Sequence, residues 1–146
     1  MKMRKSGRES GQLVVEMLLI LPVFLTMVFL IMETGYISFQ LILLNHATYE
    51  VARIGGMTWK TSLGGNGAMN EKMRKILANA TVNCFEENTL LDPQSGQTNI
   101  DLRCTGKEDV KLVFPISSVL LAKPSGSGTR ELSVEVRMPI EVPLLK

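Results

Sequence analysis

The chain has 146 residues, 45% of them hydrophobic, with 16 basic groups, 14 acidic groups and a single histidine. That length fits one modest domain plus an anchor, because the hydrophobic excess is concentrated near the N-terminus. Lys2, Arg4, Lys5 and Arg8 crowd the first eleven residues beside Glu9, which leaves 12 basic against 13 acidic groups, net −1, for the remainder. With no basic stripe and no aromatic platform in that remainder, nucleic-acid binding gets no support.

Residues 1–11 read as a polar, basic, disordered leader. Between Leu13 and Met32, twenty residues hold one ionisable group, Glu16, and one proline, Pro22. Such a run suits a bilayer. Flanking positives belong on the cytoplasmic side, which places the N-terminus inside and Gly55 onward outside. One helix is expected from Gln12 to about Ile54, since only an isolated Gly35 interrupts it before Gly55-Gly56. Its length of roughly 60–65 Å exceeds the ~30 Å hydrocarbon core, so half of it projects. Beyond Leu44 the pattern turns amphipathic: His46, Glu50 and Arg53 share a polar face, and Leu44, Ala47, Val51 and Ile54 an apolar stripe. That stripe needs the outer domain or a neighbouring subunit to pack on.

The division that follows is a leader (1–11), a long transmembrane helix (12–56) and a small extracytoplasmic α+β domain (57–146). Gly55-Gly56 reads as the helix stop and "GGNG" (64–67) as a flexible loop. A second helix is expected at about Ala68–Asn79, with Met69, Met73, Ile76 and Ala80 on one face. "TVNCF" and "TNIDLRCT" read as strands, "DVKLVFP" as a third and less regular one. The clearest is "ELSVEVRMPIEV", where Leu132, Val134, Val136, Met138, Ile140 and Val142 alternate with polar residues, giving one buried and one wet face. Pro139 puts this strand at an edge or breaks it, and "PSGSG" (124–128) is a turn feeding it. The expected fold class is α+β, an antiparallel sheet packed on helix.

Cys84 and Cys104 both fall in the exported half, on the apolar phase of their strands. An oxidising compartment permits one bridge between them; the alternative is two buried free thiols.

Glu16 has two plain readings: an interfacial carboxylate near the headgroups, where it costs far less than a central charge, or part of an uncleaved signal anchor. Its spacing gives a sharper one. "GQLVVE" puts Glu16 five residues after Gly11, behind a basic leader and at the head of an apolar helix. This resembles the processing site of type IV pilin-like precursors. The order "G-x-x-x-VE-x-x-x-x-LP", "E-x-G" and "A-x-x-x-x-AR-x-G" then resembles the TadE-like minor pilins, or pseudopilins, of the tight-adherence (Flp-type pilus) apparatus. The matching positions are Gly11, Val15, Glu16, Leu21, Pro22, Glu33, Gly35, Ala47, Ala52, Arg53 and Gly55, within residues 11–56. The resemblance implies cleavage after Gly11 by a prepilin peptidase, with Gln12 as the new N-terminus. It also implies that Glu16 offsets the free amine of a neighbouring subunit, and that the partners are other pilin or Tad-apparatus subunits. Leu13 and Val14 are bulkier than the residues common there, and the strand-rich tail carries no matching motif.

Other constellations are weak. His46 and Glu50 lie one helical turn apart, but one histidine makes a solvated helix face the better reading than a metal site. Glu86, Glu87 and Asp92 lack calcium-loop spacing and read as a polar turn. No phosphate loop, redox CxxC or nucleophile–base set appears, so no enzyme, cofactor or small-molecule substrate is expected. The chain reads as a single-span assembly component of the inner (cytoplasmic) membrane or of a surface pilus, acting by subunit packing. The rival reading is a signal-anchored envelope protein whose sheet captures a partner and never polymerises.

Overall fold

The computed structural model describes residues 6–61, 64–90, 98–114 and 128–140. Helix α1 spans Ser6–Thr58 and α2 Asn66–Ile76, followed by strands β1 (Ala80–Leu90), β2 (Thr98–Lys111) and β3 (Thr129–Pro139). The strands form an antiparallel sheet in the order β1-β2-β3. This is the expected α+β arrangement: a long apolar helix, a small helix and an antiparallel sheet.

α1 exceeds its expected bounds at both ends, and its 53 residues make a rod about 80 Å long. Ser6 to Ser10 are helical rather than disordered, because extending an existing helix costs far less than nucleating one. At the other end, Gly55 and Gly56 do not stop the helix; both are buried within it. A β-carbon on Gly55 would sit 2.6 Å from Leu102 Cδ2, and one on Gly56 2.9 Å from the Pro139 carbonyl oxygen. The two glycines let the helix lie directly on the sheet.

β2 runs antiparallel to α1. Leu102 lies beside Gly55, Gly106 beside Thr48, and Val113, just past the strand, beside Glu33. The inward face of α1 (Leu44, Ala47, Thr48, Val51, Ala52) is fully buried against Leu102, Cys104 and their neighbours. Thr48 closes the tightest contact. Its hydroxyl donates to the Leu44 carbonyl at 2.7 Å, and its side chain occupies the space that a β-carbon on Gly106 would need. Gly106→Ala is therefore expected to cost about 1–3 kcal/mol, as overpacking does. Thr48→Ala should recover part of that loss in the double variant, so a urea-unfolding cycle with no coupling between the two sites would refute the contact.

α2 starts at Asn66, inside the stretch read as a loop, and ends at Ile76, short of Asn79. Met69 and Met73 enter the core, whereas Ile76 is half-exposed. The side-chain carbonyls of Asn66 and Asn70, one turn apart, accept from the amides of Cys84 (2.6 Å) and Val82 (2.9 Å). Those amides lie on the outer margin of edge strand β1, so α2 closes that margin at Val82 and Cys84.

"DVKLVFP" is not a separate strand: Asp109–Lys111 continue β2, and Leu112–Phe114 lie beyond it. Glu86 and Glu87 belong to β1 rather than to a turn. β3 is an edge strand and also ends at Pro139, so both expectations for that proline hold. Residues 1–5, Asp92, Val142 and most of "PSGSG" lie outside the described residues.

Candidate functional site

α1 presents two faces that part company at Glu33. Toward the N-terminus the helix is uncovered: Leu13, Val14, Met17, Leu18, Leu21 and Phe24 are all more than half exposed. It is the one helix among the described residues long and apolar enough to cross a membrane, consistent with single-pass anchoring. Gly11 meets open space, and Glu16 is exposed on the same uncovered segment. Pro22 stands inside the helix; lacking an amide hydrogen, it leaves the Leu18 carbonyl without its helical donor. The Thr26 hydroxyl donates to the Pro22 carbonyl at 2.8 Å.

Beyond Glu33 one face is covered by the sheet and the other is not. Met32, Tyr36, Phe39 and Leu43 recur at helical spacing and remain 58%, 40%, 56% and 37% exposed. Ile42 and Tyr49 flank them, also exposed. His46, Glu50 and Arg53 share the exposed side, and a shallow groove joins Leu43, His46 and Tyr49 to Ile76 and Leu77 of α2. The exposed apolar surface from Leu13 to Tyr49 is about 55 Å long, against a hydrocarbon core of about 30 Å. Lipid can cover little more than half of it.

Glu33 is the residue that the local sequence underrated. It is 1% exposed. One carboxylate oxygen accepts from the Val113 amide at 3.0 Å and the other from the Phe114 amide at 3.3 Å. The Phe29 ring, one turn earlier, stacks on Phe114 with centroids 4.8 Å apart. Among the other motif positions, Ala47, Ala52 and Gly55 are buried under the sheet, whereas Gly35 and Arg53 face outward. The pattern therefore mixes residues that dock the sheet with residues that leave a face open.

Cys84 and Cys104 are cross-strand partners with sulfurs 2.07 Å apart, a disulfide at the centre of the β1–β2 ladder. The Cys84 amide points at Asn66, away from β2, which makes this a close, non-hydrogen-bonded pair. The opposite face of the sheet is polar. Arg103 donates to Glu135 at 2.6 Å, and both Arg103 and Arg137 lie within 4 Å of Glu87. The hydrogen bond with Arg103 holds the Glu135 carboxyl below the usual range, with the nearby Arg137 charge adding to it. Burial pushes the Glu108 carboxyl up, and its Oε2 is buried without a hydrogen-bond donor. Among the described residues no three His, Cys, Asp or Glu side chains converge as metal ligands. What this arrangement offers is packing surface.

Residues 11–53 match the family model described as TadE-like protein. The match starts at Gly11, covers the uncovered segment and the Glu33 region, and stops before the sheet. No curated protein matches the chain. No solved structure matches it either.

Proposed function

We propose that this chain, whose long helix carries TadE-like sequence from Gly11 to Arg53, is a minor pilin or pseudopilin of a bacterial tight-adherence pilus or related secretion apparatus. It acts by helix packing, not by catalysis. The observation that carries this reading is the length of uncovered apolar helix. An isolated span needs about 20 apolar residues, yet here exposed apolar side chains continue to Tyr49. A stand-alone anchor would leave Met32, Tyr36, Phe39 and Leu43 in water, whereas neighbouring helices would bury them. Such an unpartnered stripe is the mark of an interaction surface.

In the membrane the basic leader holds the N-terminus in the cytoplasm and the sheet lies outside. A prepilin peptidase then cuts between Gly11 and Gln12. Glycine is costly in a helix by about 1 kcal/mol relative to alanine, so Gly11 weakens the rod locally at the cut. Gly11→Leu should leave the uncut precursor, because the added side chain blocks approach at the scissile bond. N-terminal sequencing of membrane-extracted protein decides the matter: Gln12 is expected as the first residue. An intact Met1 in cells with an active prepilin peptidase would favour the non-polymerising alternative.

A further inference from the structure

We propose that Leu112–Phe114, the segment just past β2, is a second membrane contact that dips into the outer leaflet and is held there by Glu33. The inference rests on the reading of α1 as a membrane span.

Depth comes first. Counting about 20 residues for the hydrocarbon core from Leu13 puts its outer boundary near Met32. Phe29 then lies roughly 4–5 Å inside that boundary. Phe114 stacks on Phe29, so the apolar ring of Phe114 is drawn down beside the span, inside that boundary. β2 descends antiparallel to α1 and delivers the segment to this level.

Hydrogen bonding makes the stronger case. At this depth water is scarce, and irregular backbone survives only where its polar groups find internal partners. Leu112–Phe114 have left the ladder, yet every amide in the segment donates within the protein. The Leu112 amide goes to the Gly128 carbonyl at 3.0 Å. Those of Val113 and Phe114 go to the two oxygens of Glu33. Meanwhile Val113 is 70% exposed. Satisfied amides beneath an exposed apolar side chain suit a medium that accepts carbon and refuses unpaired N–H groups. A water-facing loop needs no buried carboxylate to satisfy it. Glu33 is thus a positioning residue: it fixes the segment against the span, and the contact is continuous with the membrane face of α1.

The test uses the full chain in vesicles of phosphatidylethanolamine and phosphatidylglycerol. A bimane probe is placed by Val113→Cys, with Leu18→Cys in the span and Lys75→Cys on α2 as references; the bonded native cysteines do not react. Nitroxide lipids labelled near the glycerol end should quench the Val113 probe, and iodide should quench it several-fold less than the Lys75 probe. Adding Glu33→Ala should restore iodide access at position 113 while the Leu18 probe stays lipid-quenched. If iodide reaches 113 as readily as 75 while Leu18 remains lipid-quenched, this inference fails and the span stands. If the Leu18 probe escapes lipid quenching, the membrane reading itself fails. Protection of 113 from both quenchers would mean a protein neighbour, and would also overturn the proposal.

Discussion

The double variant Cys84→Ser/Cys104→Ser is expected to lose about 3 kcal/mol of stability in the sheet-bearing part of the chain, the chain-entropy value for a loop of this length. The bond spans a sequence separation of 20. Against a typical domain stability of about 5–15 kcal/mol that is a large share, and this domain is small. The loss should appear as a lower urea midpoint and as faster proteolysis of the sheet. Thiol labelling of the native, unreduced protein under denaturing conditions gives an independent measure. Two reactive thiols per chain would refute the bridge and weigh against export of this half.

Glu16→Ala is expected to preserve membrane insertion and abolish most fibre assembly. Removing a carboxylate from an apolar segment can only ease insertion, by at most about 2.5–3.5 kcal/mol if the group were central. In an assembled fibre Glu16 would face the new amine of a neighbouring chain. Stripping one member from such a buried pair typically costs about 3–5 kcal/mol, because the other charge is left alone. That corresponds to a fall of a hundredfold or more in association. Sheared-surface yield, normalised to the amount in the membrane fraction, measures it. Unchanged yield would reduce Glu16 to an interfacial residue.

Some of this molecule is legible in its sequence because the physics involved is local. The alternation from Leu132 to Met138 shows β3, the apolar run shows α1, and the shared phase of the two cysteines placed them on one buried face. Other features depend on partners that the local sequence does not name. Gly55-Gly56 looks like a helix stop because glycine marks both chain ends and close approaches; only the position of Leu102 and Pro139 distinguishes them. Asn66 reads as loop because its role as acceptor for Cys84 requires a strand 18 residues away. Glu33 accepts from amides about 80 residues distant, so its spacing within the motif says nothing of what it holds. The open face of α1 was only half legible. The apolar residues from Met32 to Leu43 are plain, but which of them the sheet would cover was not.

A three-stranded sheet has two margins, and each is a template on which a stray strand can add, the first step toward cross-β aggregates. The hazard grows with local concentration. In this chain Asn66 and Asn70 occupy the outward amides of Val82 and Cys84, so the β1 margin has no free donors to offer there. On β3, Pro139 ends the other margin with a residue that has no donor at all. Glu131, Glu135 and Arg137 add charges beside it. These features blunt both margins of the sheet, whereas the apolar face of α1 stays uncovered.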